Sequence, residues 1–154
     1  MKELRTEIVI NAPQEAVWRV LTQFDQYATW NPFIVSSSGS AQVGQRLTNQ
    51  MQQGDKTFTF RPKLVAVQPY EKLAWIGHLW VPGLFDGHHY FRLEALTATQ
   101  TKLVQGEKFS GVLSKIVMKY SEEGTRRGFI QMNRALKERA EQQEQAISTE
   151  SIYP

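Results

Sequence analysis

The order of side-chain periodicities constrains this chain more than any single motif. A strand pattern comes first, a short helical stretch follows, strand patterns then recur at short intervals, and one long helical pattern closes the sequence. Over residues 4–10, Leu4, Thr6, Ile8 and Ile10 alternate with Arg5, Glu7 and Val9, the period-two signature of a strand with one buried side. Asn11 and Ala12 lead to Pro13, whose fixed φ and missing N–H suit a first helical turn. Val17, Val20, Leu21 and Phe24 follow at helical spacing, which predicts a helix over 13–21 and a further turn or two near 25–28. Trp30-Asn31-Pro32-Phe33 must end that helix, because the residue before a proline is pushed out of the α region.

Strand signals then recur over 33–38, 46–52, 57–67, 72–80, 87–96 and 102–109. Gly39, Gly44, Gly54-Asp55, Pro69-Tyr70-Glu71, Pro82-Gly83 and residues 97–100 separate them. Gaps this short imply antiparallel neighbours, since a parallel crossover needs about a dozen residues or more.

After Gly111 the period becomes helical. Val112, Ile116 and Tyr120 form one apolar stripe, and Thr125, Phe129, Met132, Leu136 and Ala140 continue at spacings of three and four. Gly124 and Gly128 interrupt this pattern, each costing about 1 kcal/mol relative to alanine in a helix interior. Either they let one helix approach the sheet or leave room for a ligand, or the helix breaks near Gly124 into a short lid and a long closing helix. Beyond Gln142 the pattern lapses, so the expectation is one domain over 1–141 and a disordered tail over 142–154. A curved antiparallel sheet followed by a single helix can curl around it and enclose a cavity.

Several function classes are disfavoured. The 154 residues suit one domain, and 18 Lys plus Arg against 15 Asp plus Glu give a charge of +3 with no dense basic block, which argues against nucleic-acid binding. The chain has no cysteine, so disulfides, thiolate nucleophiles and cysteine metal sites are all excluded. Its first residues lack the apolar core of a signal peptide, and no apolar run approaches the ~20 residues of a membrane-spanning helix. A cytoplasmic protein, monomer or homodimer, is the expectation.

No phosphate loop, nucleophile elbow, two-histidine zinc helix or EF-hand loop occurs, and no cofactor is expected. His88 and His89 are adjacent and point to opposite faces of a strand, so they cannot easily share an ion. His78 and His88 can meet across neighbouring strands, but no third ligand stands in register, and no metal site is expected.

Strand phase supplies the useful clue. His89 shares a face with Phe91 and Leu93, while Gln105 and Glu107 share one with Leu103 and Phe109. If those faces look inward, an imidazole, an amide and a carboxylate project toward the cavity, where each needs a partner. His89 beside Glu107 can serve as a general acid and base, or simply close a buried hydrogen-bond network. Trp75 and Leu79 fall on one face of their strand, with Trp80 and His78 on the other. Trp18 reads as packing, Trp30 with Phe33 can gate the pocket mouth, and the Arg61 face reads as solvent.

The stretch Glu7-Ile8-Val9-Ile10-Asn11-Ala12-Pro13 with Glu15-Ala16-Val17-Trp18, then Trp30-Asn31-Pro32-Phe33, Glu107-Lys108-Phe109-Ser110-Gly111 and the segment from Arg127-Gly128-Phe129 to Leu136-Lys137 resemble the polyketide cyclase/dehydratase group of the START-like, Bet v 1-like superfamily (SRPBCC). The resemblance runs over about residues 6–140. It implies an α+β helix-grip fold: a curved antiparallel sheet, two short helices after the first strand, and a long C-terminal helix held over a hydrophobic cavity. Members bind lipids, sterols, polyketides or plant hormones, and some cyclise aromatic polyketides. Asn31, Pro32, Glu107 and Gly111 occupy motif positions, but no catalytic signature unites the group.

Two functional readings follow. In the first, the chain binds or transports a small, largely hydrophobic molecule, held by Trp75, Leu79, Phe91 and Leu103 together with Phe109, Phe129 and Met132. His89, Gln105 and Glu107 orient that molecule, and Trp30, Asn31 and Phe33 border it. In the second, a cyclase, dehydratase or related enzyme uses the same cavity with His89 or Glu107 as acid or base. A partner-binding edge, or the region from Glu138 onward, is a third option without a sharp sequence signal.

Overall fold

The computed structural model describes residues 2–79 and 81–152; Trp80, read above as the end of a strand, lies outside the described residues, as do the last two of the expected tail. The first strand, β1 (Lys2–Ile10), leads to α1 (Gln14–Thr22), a single 3₁₀ turn (Phe24–Gln26) and the short α2 (Tyr27–Trp30). Seven strands follow: β2 (Ile34–Ser38), β3 (Thr48–Gln53), β4 (Lys56–Phe60), β5 (Lys63–Gln68), β6 (Lys72–Leu79), β7 (Phe85–Thr97) and β8 (Gln100–Ser110). The chain closes on α3 (Ser114–Ile152). This is the strand, helix pair, strand run and closing helix that the periodicities predict.

All pairings are antiparallel, as the short connections require. One sheet runs β1-β8-β7-β6-β5 and a smaller one runs β2-β3-β4. The region expected as one strand over 57–67 is two, broken at Arg61-Pro62, because proline has no N–H for a ladder and a fixed φ. The backbone stitches the two sheets across this break: Leu47 N–H donates to the Pro62 carbonyl (2.9 Å), Leu64 N–H to that of Gln45 (2.9 Å) and Gly44 N–H to that of Leu64 (2.8 Å). The result is one curved wrap around α3.

The inward faces are those expected from strand phase. Leu73 and Trp75 of β6, Phe91 and Leu93 of β7, and Leu103 and Phe109 of β8 are buried with Phe129, Met132, Leu136 and Ala140 of α3. Helix α1 adds Ala16, Val17, Val20 and Leu21, and Tyr27 seals the turn below it by donating its hydroxyl to the Leu21 carbonyl. Complete burial pushes the Tyr27 phenol far above its ordinary pKa.

Two expectations about α3 change, and one open alternative is decided. Of the two readings of Gly124 the unbroken helix holds, and α3 continues past Gln142 to Ile152, where the lapse of periodicity predicts a disordered tail. Glu141, Gln142, Gln143, Glu144, Gln145 and Ala146 are all good helix formers, so local propensity sustains it where apolar periodicity stops. The second change concerns the stripe of Val112, Ile116 and Tyr120, which is solvent-exposed. Tyr120 precedes Phe129 by nine residues, about two and a half turns at ~3.6 residues per turn, so on an unbroken helix the two side chains face opposite ways. The side turned inward instead carries Ser114, Met118, Ser121 and Thr125.

Candidate functional site

A cavity of about 330 Å³ lies between the sheet and the N-terminal half of α3. Its floor follows from register. Trp75, His89 and Glu107 stand directly opposite one another across β6, β7 and β8 and form a row of large side chains. The next inward-facing row along the strands begins Gly77 opposite Gly87, two residues with no side chain, and ends at Phe109. Leu79 opposite Phe85 forms the row beyond. The paired glycines therefore leave a trough of bare backbone between two ranks of side chains, and all eight of these residues border the cavity.

The walls are mostly apolar. Phe85 stacks on Phe109 with centroids 5.6 Å apart, Met51, Phe58 and Phe60 come from the smaller sheet, and Val117 and Met118 from α3. Phe58 and Leu79 both line the cavity and meet solvent, which places its mouth beside them.

The polar end is organised around His89, which is only 3% exposed. Its ring stacks on Trp75 (5.0 Å, 17° between planes), lies tilted against Phe91 at 4.9 Å and packs edge-on with Phe129 at 5.0 Å. A chain of buried hydrogen bonds sets its tautomer. Thr6 Oγ1 donates to the Gln105 carbonyl (3.0 Å), so the same oxygen accepts from Asn133 Nδ2 (2.9 Å). That turns Asn133 Oδ1 toward Gln105 Nε2 (2.7 Å), which also donates to the Phe129 carbonyl (3.3 Å). Gln105 Oε1 then faces His89 Nε2 at 2.9 Å, and an oxygen there requires the proton on Nε2. In the neutral ring the lone pair lies on Nδ1, 3.7 Å from Glu107 Oε2. That separation is too long for a hydrogen bond, so the imidazole nitrogen and the carboxylate are both left to engage a third group.

Glu107 leans over the trough. A Cβ built on Gly87 would lie 2.6 Å from its Oε1, so glycine at this position is what lets the carboxylate rest there.

The structure brings Phe33, Trp75, Leu79, His89, Glu107 and Phe109 to the cavity wall, as strand phase and the proline loop predict. Five others expected there sit one layer back. Phe91, Leu103, Phe129 and Met132 are fully buried in the core, and Gln105 acts on His89 from behind it. Trp30 and Asn31 do not border the cavity either. Trp30 packs edge-on against Tyr27 at 5.1 Å, and Asn31 Oδ1 accepts the Phe33 and Ile34 N–H groups (both 2.9 Å), locking the loop that delivers Phe33. Asn133 and Met51 escaped the sequence reading, and Thr125, placed there on the inward stripe, reaches the cavity as well. Met51 lies in a strand too polar to alternate, whereas Asn133 follows Met132 on the inward side of α3 and is one buried amide that a helical projection would reveal.

Among the described residues no group of His, Asp and Glu is placed to hold a metal ion. His78 sits opposite Asp86 rather than meeting His88, and its Nδ1 lies 2.8 Å from the Asp86 carboxylate. That hydrogen bond holds the Asp86 pKa below the ordinary carboxylate value.

A curved antiparallel sheet around a long C-terminal helix, with a cavity between them, defines a helix-grip protein of the START-like, Bet v 1-like class. The chain belongs to the family described as polyketide cyclase / dehydrase and lipid transport, whose model matches residues 1–141. Solved structures share the fold at low identity. The Zhui aromatase/cyclase from Streptomyces sp. R1128 is 16% identical, with 91% of this chain and 93% of that one covered and a TM-score of 0.72. A START superfamily protein from Mycobacterium smegmatis is 16% identical, with 91% and 97% covered and a TM-score of 0.71. The di-domain ARO/CYC StfQ from the steffimycin biosynthetic pathway is 13% identical over 92% of this chain and 51% of that one, with a TM-score of 0.73. No curated protein matches the chain by sequence. No helix among the described residues is long and apolar enough to cross a membrane.

Proposed function

We propose that the protein binds one small, largely apolar molecule in this cavity, with a hydroxyl or similar hydrogen-bond donor of the guest directed at His89 Nδ1 and Glu107. The observation that supports the reading is the trough left by Gly77 and Gly87 beside two polar atoms that no group among the described residues engages at hydrogen-bonding distance. The volume lies at the small end of the ~300–1,000 Å³ range of ligand sites, which favours a compact, flat molecule over a two-chain lipid. Calorimetric titration with naphthol, naphthalene and naphthoate tests it. Naphthol should bind tightest, because the other two present no donor or an anion beside Glu107. Gly77→Leu, which fills the trough, should abolish binding. Equal affinity for naphthol in that variant would remove the cavity from the account.

The oriented imidazole favours a second reading, an enzyme in which Nδ1 takes a proton adjacent to a substrate carbonyl and the resulting imidazolium returns it to the enolate oxygen, whose new hydroxyl donates to the Glu107 carboxylate. Aromatase/cyclases among the structural neighbours lend it support at the level of fold. In that case His89→Gln and Glu107→Gln should retain guest binding and lose turnover by ~10²-fold or more. Unaltered turnover in both variants would leave only the carrier.

A further inference from the structure

Three apolar side chains stand in solvent where α3 begins: Val112 at 78%, Ile116 at 60% and Tyr120 at 80% exposure. Ile116 and Tyr120 lie four residues apart on α3 and share the face that the unbroken helix turns away from the core, and Val112 stands in the turn just before it. Lys115 and Lys119 lie exposed between them, with the Lys119 ammonium 5.6 Å from the Tyr120 ring centre. No acid interrupts the stretch from Gly111 to Tyr120. The two that follow are engaged with cations: Glu122 with Lys2 (2.6 Å) and Arg126 (3.4 Å), and Glu123 with Arg127 (3.9 Å).

The neighbouring loop continues the surface. Val112 and Leu113 donate their N–H groups to the carbonyls of Gly83 and Leu84 (3.0 and 2.9 Å), which holds the start of α3 against the β6–β7 turn. Val81 of that turn and Leu79 at the cavity mouth are likewise exposed, at 54% and 44%. The turn itself carries no acid, and Asp86 of β7 beside it is occupied by His78. On the adjacent side of the same helical turns, Val117 and Ser121 line the cavity.

We propose that this face is a peripheral docking surface for anionic lipid bilayers, with Val112, Ile116 and Tyr120 entering the interface and Lys115 and Lys119 meeting the headgroups. An exposed apolar patch edged by lysines, free of uncompensated acids, is the arrangement that inserts at an anionic bilayer surface, and tyrosine is favoured at that depth. Docked in this way, the cavity mouth opens toward the membrane, so that an apolar guest exchanges without crossing water. The inference rests on the outer face of α3 and stands whether or not the cavity reading holds.

Co-sedimentation of the full chain with phosphatidylcholine vesicles, with and without phosphatidylglycerol, tests it. The protein should pellet with the anionic vesicles roughly tenfold more strongly, and salt should weaken this binding. Ile116→Ser with Tyr120→Ser should remove binding to either vesicle, and Lys115→Glu with Lys119→Glu should remove the anionic preference. All four sites are exposed, so far-ultraviolet circular dichroism should stay unchanged. The proposal is overturned by a protein that stays in the supernatant with anionic vesicles, by variants that pellet like wild type, or by light scattering that shows a dimer dispersed by Ile116→Ser. That last outcome would make the face a contact between two copies.

Discussion

The ring of Phe33 lies directly against Gly128, so close that a Cβ on Gly128 would fall 2.4 Å from both Cδ1 and Cε1. Phe33 comes from the proline loop, packs edge-on against Phe129 at 5.7 Å and borders the cavity, so the contact sets how near α3 comes to the loop. Gly128→Ala should destabilise the protein despite alanine's better helix propensity. Overpacking costs about 1–3 kcal/mol and the propensity gain returns about 1 kcal/mol, for a net loss of up to about 2 kcal/mol in urea unfolding. Phe33→Leu should relieve part of that loss in the double variant. Additive effects would show that the two residues do not press on each other.

The hydrogen-bond chain behind His89 makes a spectroscopic prediction. Nitrogen chemical shifts of the His89 ring, measured where it is neutral, should report the Nε2–H tautomer. Gln105→Leu should scramble that preference and cost about 2 kcal/mol or more, because Asn133 and the Phe129 carbonyl lose a buried partner. A proton found on Nδ1 in the native protein would reverse the direction of the chain and withdraw the lone pair from the cavity.

His88, on the opposite face of β7, should contribute to acid sensitivity. Partial burial first, then the positive charges of Lys72 and Lys108, hold its pKa below the ordinary histidine value, and His89 adds to the shift while Glu107 opposes it. The unfolded chain therefore takes up this proton near pH ~6.5, and the folded chain only at lower pH. Its contribution to stability is complete above that value and is lost as pH falls toward the folded pKa. Denaturant midpoints should decline on acidification in this window, and His88→Gln should flatten the decline. An identical slope in the variant would assign the effect elsewhere.

Gly87→Ala should separate binding from stability. The added methyl meets the far end of a flexible side chain, the Glu107 carboxylate, which can swing aside at little cost. Stability should change by less than about 1 kcal/mol, while naphthol affinity should shift several-fold as the carboxylate leaves its place over the trough. Calorimetry on the variant checks this, and unchanged affinity would mean that Glu107 takes no part in holding the guest.

Much of the fold was legible because a half-buried sheet writes itself in alternation. His89 with Phe91, Gln105 with Glu107, and Trp75 with Gly77 all share the faces that period two assigns. The trough was not legible, since it depends on which glycine of β6 meets which of β7, a matter of register that no single strand encodes. The second-layer placement of Phe91 and Phe129 has the same cause, because phase tells inward from outward but not cavity wall from core. The exposed stripe of α3 was misread for another reason. Two apolar stripes of different phase fit one core only if the helix breaks between them, and Gly124, with nothing closer than 3.5 Å to an added Cβ, does not break it.

On the proposed function, the facing glycines divide the control of selectivity between two positions ten residues apart in the chain and adjacent across the sheet. An added Cβ at Gly77 meets only Phe60 and Pro62, at ordinary contact distances of 3.8 and 3.9 Å, whereas one at Gly87 strikes the acidic group. For the guest proposed above, substitution at the first position should trim the size accepted, and substitution at the second should change the polar group preferred. On that reading, a lineage built on this scaffold can diversify its cargo by single mutations, with no rebuilding of the framework that carries it.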